Sequence, residues 1–130
     1  MNTVYVDTSA IGRVLLEEPD KLTIQNALDT FDRVTASNLL RVELRRVGLR
    51  RELLDRANIL LTDISLIPMD DQILTTAGTL TPPAVGTLDA IHLATAIRLS
   101  RAGELDALMT YDKQLAAGAK EHGITVLSPS

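Results

Sequence analysis

Four acidic side chains stand where an acid is conspicuous or costly. Asp7 closes the apolar run Thr3–Val6, and Asp112 follows the apolar run Ala107–Tyr111. Glu43 shares a helical face with Leu39, Leu40 and Val47. Asp89 shares one with His92, Leu93, Ala96 and Ile97. Charge on an apolar face is expensive unless something pairs it. Each acid also has an ordinary explanation. Asp7 and Asp112 precede helical stretches and suit helix N-caps. Glu43 could pair with Arg46 or Arg50, and Asp89 could stabilise a first helical turn or bond His92. One explanation covers all four. Converging carboxylates make an all-oxygen site for Mg²⁺ or Mn²⁺, with the cation as the missing partner. An ion so held activates water and stabilises the charge that develops in a phosphodiester displacement.

Such convergence needs a scaffold, and the apolar patterning supplies one. Short apolar runs at Thr3–Val6, Arg33–Ser37, Ile64–Met69, Ala107–Tyr111 and Ile124–Leu127 read as buried strands. Between them lie helical patterns. One starts after Asp7 and stops before Pro19; a second covers 21–31. A long one follows Ser37 as N-cap, "NLLRVELRRVGLRRELLDRA", with a bend expected at Gly48. A short one covers Gln72–Ala77 behind Asp70 or Asp71. Another runs through "VGTLDAIHLATAIRL" to Ala102, and the last spans 113–123, with Gly123 as its C′ residue. "GTLTPPAVGT" is the main loop. Strands alternating with helices predict an α/β fold, a mostly parallel sheet with helices on both faces. In such sheets the functional crevice lies beyond the carboxyl ends of the strands, where Asp7 and Asp112 fall. Asp106 lies at the start of its strand, so Asp112 is the better candidate.

At 130 residues, with no repeat, low-complexity tract or linker, the chain reads as one domain, residues 1–130. There is no cysteine, which excludes disulfides, thiolate metal sites and a cysteine nucleophile. Two tyrosines and one phenylalanine are too few for a base-stacking surface. The net charge of −4 argues against a passive nucleic-acid coat. It is compatible with an enzyme whose carboxylates hold cations, which in turn attract phosphate. No signal peptide and no apolar run of membrane-spanning length is evident, so a soluble cytoplasmic protein is expected.

The segments "YVDTSA", "SNLLRVEL", "TLDAIHLATA" and "MTYDKQLAAGAKEHGITVL" together resemble the PIN-domain ribonucleases, and most closely the VapC-type toxins of bacterial toxin–antitoxin pairs. The likeness spans nearly the whole chain, with the motifs in the family's order. It implies a three-layer α/β/α sandwich of Rossmann-like type and a Mg²⁺-dependent endoribonuclease (Mn²⁺ also acceptable) that inhibits translation or growth. By motif, the implied acidic site is Asp7, Glu43, Asp89 and Asp112. Asp7 and Asp89 would be metal ligands, Glu43 a ligand or the residue orienting water, and Asp112 would act directly or through water. Thr8 and Thr110 match small hydroxyl positions that support these carboxylates; ordinary cap and turn chemistry explains them equally well. The implied partners are an RNA substrate, a VapB-like antitoxin covering the site, and a second copy of the chain. The antitoxin contact is expected around Ile11 to Leu28, although Val14, Leu15 and Leu16 also suit a plain core.

Other residues are read more plainly. His92 suits packing or a hydrogen bond to a neighbouring carboxylate, and His122 suits a helix C-terminus. Ser9 lacks the histidine and acid of a serine nucleophile. It also stands where a haloacid-dehalogenase-like phosphatase requires a second Asp, and no receiver-like lysine arrangement is clear. Arg41, Arg45, Arg46, Arg50, Arg51 and Arg56 suggest a solvated helix face paired with Glu52 and Asp55. Alternatively, Arg45 and Arg46 contact RNA phosphates. The competing functional class is a catalytically silent PIN-like module that binds RNA or a partner. All four acidic positions being filled speaks against it.

Overall fold

A computed structural model describes residues 2–130. Five strands form one sheet: β1 (Thr3–Val6), β2 (Arg33–Ser37), β3 (Ser65–Ile67), β4 (Ala107–Met109) and β5 (Val126–Leu127). Their order is β3-β2-β1-β4-β5, and every pairing is parallel, with Tyr5 opposite Thr35 on one side and Leu108 on the other. Central β1 is buried on both faces, with Val4, Tyr5 and Val6 all fully enclosed. That is why it reads as an unbroken apolar run rather than an alternating one.

Among the described residues, seven helices connect the strands: α1 (Thr8–Leu15), α2 (Lys21–Leu28), α3 (Leu39–Arg50), α4 (Leu54–Thr62), α5 (Asp71–Gly78), α6 (Thr87–Arg101) and α7 (Lys113–Glu121). Helices α1 to α4 pack among themselves, as do α5 to α7. Right-handed crossovers put the first group on one face of the sheet and the second on the other. The chain winds outward from β1 to β3, then crosses back to β4. The winding reverses between β1 and β4, so the crevice for a ligand opens at their carboxyl ends.

The long helix expected after Ser37 is two helices. Its first half ends at Arg51, Glu52 takes a left-handed conformation (φ 57°), and Leu53 N–H returns to the carbonyl of Gly48 at 2.7 Å. Gly48 is therefore not a bend within a helix; it is the surface on which α4 turns back. A Cβ there would lie 3.0 Å from Ala57 Cβ and 3.1 Å from the Leu53 carbonyl oxygen. The N-cap of α3 is Asn38 rather than Ser37, although the Ser37 hydroxyl accepts from Leu39 N–H at 3.1 Å. Strands β3, β4 and β5 are shorter than their apolar runs, although beyond the strand ends Thr110 N–H still donates to the Leu127 carbonyl at 3.1 Å and the Thr125 carbonyl accepts from Leu108 N–H at 2.8 Å. Asp70 caps α5, accepting from Ile73 N–H at 2.9 Å.

Candidate active site

The four predicted acids come from four different elements at the carboxyl edge of the sheet. Asp7 ends β1 and caps α1; its Oδ1 accepts from Ala10 N–H at 3.1 Å. Capping explains its backbone position but not its burial, since only 2% of it is exposed. The Ser9 hydroxyl reaches both carboxylate oxygens (2.8 and 2.9 Å), and Thr110 Oγ1 donates to Oδ2 at 2.7 Å. Burial pushes the Asp7 carboxyl up, and these hydroxyl donors only partly offset the shift.

Asp112 caps α7 in the same way, its Oδ1 accepting from Leu115 N–H at 2.8 Å. Its own N–H donates to Thr110 Oγ1 at 3.0 Å, so one hydroxyl links Asp7 and Asp112. Asp89 lies in the first turn of α6, behind an N-cap, Gly86, that has no side chain to offer. Its pKa is raised to about 6, first by burial, then by the charge and hydrogen-bonding proximity of Asp112, then by the charge of Asp7. Three like charges thus face one another, and one cannot ionise at its ordinary value. Asp89 does not pair with His92: that ring is engaged elsewhere.

Glu43 stands slightly apart from this trio. Its Oε1 accepts from Thr8 Oγ1 at 2.8 Å and meets His92 Nε2 at 2.6 Å. Burial acts to raise its pKa, but the His92 bond, the charge of that ring when protonated and the Thr8 bond lower it overall. The expected alternative, a pair with Arg46 or Arg50, is absent among the described residues. Glu43 therefore connects to Asp7 through consecutive residues of one turn: Thr8 holds Glu43 while Ser9 holds Asp7.

Two contributors escaped the sequence reading. Ser9, dismissed as a nucleophile, fixes Asp7 and accepts Tyr111 N–H at 2.8 Å. Tyr5 is fully buried, and its hydroxyl meets His92 Nδ1 at 2.6 Å. A buried tyrosine must find a partner for its hydroxyl, which was the available signal. Asp106 lies at the opposite end of β4, bonded to Thr3 N–H at 2.7 Å, and plays no part in the cluster. His122 ends α7 with its ring against the Thr81 carbonyl at 2.8 Å.

Arg45 and Arg46 are exposed on α3, and neither makes an ion pair among the described residues. Among the described residues, the expected pairs with Glu52 and Asp55 do not form. Glu52 is in the turn after α3, Asp55 is in the first turn of α4, and Arg56 pairs with Glu17 instead, at 3.3 Å.

Among the described residues, no three His, Asp or Glu side chains are closed up as a ready-made metal cage. The donors are nevertheless hard oxygens, and the Asp112 carboxylate lies within hydrogen-bonding range of Asp89. Among the described residues, Glu43 Oε2 has no protein hydrogen-bond partner, so this acid keeps one oxygen for another ligand. No helix is long and apolar enough to cross a membrane.

Known proteins resemble this chain along nearly its whole length. The family model for the PIN domain matches residues 4–121. Ribonuclease VapC47 of Mycobacterium tuberculosis is 35% identical over 133 residues, covering 97% of this chain and 96% of the relative. Ribonuclease VapC46 of the same species is 36% identical over 137 residues and the full length of both. Among solved structures, a toxin–antitoxin complex from Klebsiella pneumoniae has a chain superposing with a TM-score of 0.72 at 21% identity, over 98% of each chain. The sarcin-ricin loop cleaving toxin VapC20 of M. tuberculosis superposes at 0.69 with 16% identity, over 88% of this chain and 93% of that one. With an α/β sheet of this order and near-full-length kinship to those ribonucleases, the chain belongs to the PIN-domain family, among its VapC-type toxins.

Proposed function

We propose that this chain is a metal-dependent endoribonuclease, the toxin of a type II toxin–antitoxin pair, acting as one domain in the cytoplasm to inhibit translation or growth. The observation that carries the reading is Asp89, whose carboxyl is raised to about 6 first by burial and then by the neighbouring charges of Asp112 and Asp7. Acids forced together at a strand-end crevice are worth their cost when a cation completes them. Asp7, Asp89 and Asp112, with Glu43 beside them, are the residues that would hold Mg²⁺ or Mn²⁺. Magnesium-sized ions take few carboxylates and keep several waters, so an incompletely closed oxygen set suits them. Once bound, such an ion supplies activation of water and charge stabilisation at the phosphodiester.

The chain's own residues do the rest. Hydrolysis adds a water oxygen to phosphorus and breaks one P–O bond; the attacking water gives up one proton and, through solvent, the departing alkoxide takes one up, so water is divided between the phosphate and the alcohol. Glu43 Oε2 is the acceptor that orients water, because Oε1 is already taken by Thr8 and His92. Thr110 and Ser9 hold Asp7 in place and partly offset the cost of its burial. Arg45 and Arg46 contact RNA phosphates.

The antitoxin is assigned to a groove of about 500 Å³ lined by Ile11, Val14 and Leu28, from the segment expected for it, and by Phe31, Val34 and Leu60, which lie outside that segment. A homodimer completes the reading, and size-exclusion chromatography with light scattering measures it. Cleavage of a panel of structured RNAs tests the central claim. Wild type is expected to cut with Mg²⁺ and stop in EDTA, and Asp7→Asn and Asp89→Asn are each expected to lose at least about a hundredfold in rate. Cleavage that survives EDTA or both substitutions rejects the mechanism.

A further inference from the structure

His92 is almost completely buried, 1% exposed, yet both its ring nitrogens are engaged. Its Nδ1 meets the Tyr5 hydroxyl at 2.6 Å and its Nε2 meets Glu43 Oε1 at 2.6 Å. The rings of Tyr5 and His92 also pack edge to face, 5.8 Å between centroids and 77° between planes. The Tyr5 hydroxyl accepts from Ser37 N–H at 2.9 Å. A phenol has one proton to give. With Ser37 donating to the oxygen, that proton is free for Nδ1. The nearby Thr95 hydroxyl is committed to the Ile91 carbonyl at 2.8 Å.

We infer that Tyr5 and His92 are positioning residues for the catalytic carboxylate Glu43: the buried Tyr5 hydroxyl fixes the imidazole with its proton on Nε2, and that N–H locks Oε1 so that Oε2 is the working oxygen. The chain of contacts runs from the backbone of β2 through β1 and α6 to α3. It ties three elements of the scaffold to one oxygen atom. Thr8 supplies the second donor to the same oxygen, from the turn that also carries Asp7. Partners that orient a carboxylate or imidazole beside a metal commonly govern metal affinity and activity without touching the ion. The inference rests on the ribonuclease reading for its consequence, but its geometry concerns protein atoms alone.

Two measurements test it on the whole protein. The first is a long-range ¹H–¹⁵N spectrum of the wild type at pH 8, assigned with a His92 variant. It is expected to show His92 protonated on Nε2 with Nδ1 bare, and a ring protonated on Nδ1 overturns the inference. The second is Mn²⁺ binding by titration calorimetry, with thermal unfolding alongside to confirm that each variant folds. His92→Gln retains a donor near the Nε2 position and is expected to stay within about threefold of wild type. His92→Leu and Tyr5→Phe are expected to weaken Mn²⁺ binding by about tenfold to a hundredfold. Folded variants that all bind like a binding-competent wild type overturn this inference and leave the ribonuclease reading standing. A wild type that neither binds Mn²⁺ nor cuts RNA overturns both.

Discussion

At the scale of the residue, Asp89 is the costly group, and its cost has a pH signature. In the unfolded chain it titrates near its ordinary value of 3.8, and in the folded protein near 6. Between those values the native state keeps a proton that the unfolded chain has released. Its stabilising contribution is therefore complete below the unfolded value and is lost as pH rises through 6. At pH 8 the charged side chain is a net burden, and Asp89→Asn should relieve it. The site is partly open to water, so screening reduces the effect to about 1 kcal/mol, or roughly 3–6 °C in Tm. Unfolding scans in EDTA should show the variant more stable at pH 8 and the gain gone by pH 4. A variant less stable than wild type at pH 8 contradicts the crowding of charge. These acids were legible in the sequence because each broke a local rule, an acid at a strand end or on an apolar stripe. The partners of His92 were not, since Tyr5 is 87 positions away and Glu43 is 49, and only folding decides which nitrogen faces which.

At the scale of the element, α3 carries Glu43, and Gly48 sets how closely that helix meets α4. Alanine normally favours a helix interior by about 1 kcal/mol over glycine. Here its Cβ would press on Ala57 Cβ and on the backbone of Leu53 and Leu54, at 3.0 to 3.2 Å. Backbone does not swing aside, so crowding outweighs propensity. Gly48→Ala should cost about 1–3 kcal/mol, read as a lower urea midpoint with an unchanged slope. An equal or higher midpoint would mean that α4 can withdraw from α3. This junction is also where sequence reading failed. The apolar pattern passes unbroken from Leu44 through Leu53 to Ala57, so periodicity alone favours one long helix. The break lies in a left-handed Glu52, a residue type with no local preference for that conformation. The strands and the remaining helices were legible because buried parallel strands and their connecting helices differ in both run length and period. Strand order was not, because it depends on pairings between residues far apart in the chain.

At the scale of the molecule, the proposed activity requires an acidic protein to hold a polyanion, so the distribution of charge matters more than its sum. The chain carries −4 overall, yet the outer side of α3 displays Arg41, Arg45, Arg46 and Arg50, all exposed and none ion-paired among the described residues. Unpaired arginines are available to displace counterions from RNA phosphates. Their positions differ. At about 100° per residue, Arg46 lies roughly 60° around α3 from Glu43 and one turn along, whereas Arg45 lies roughly 160° away. If RNA crosses the carboxylate cluster, Arg46 should meet it first. Binding is best measured in the Asp7→Asn background, where the RNA stays intact. Arg46→Ala should weaken binding more than Arg45→Ala. Replacing both should reduce the slope of log affinity against log salt by up to about 1.4 to 1.8, the share of two single-strand or duplex phosphate contacts. If both variants bind with the original slope, RNA approaches from another side, and the arginine stripe is a solvated helix face.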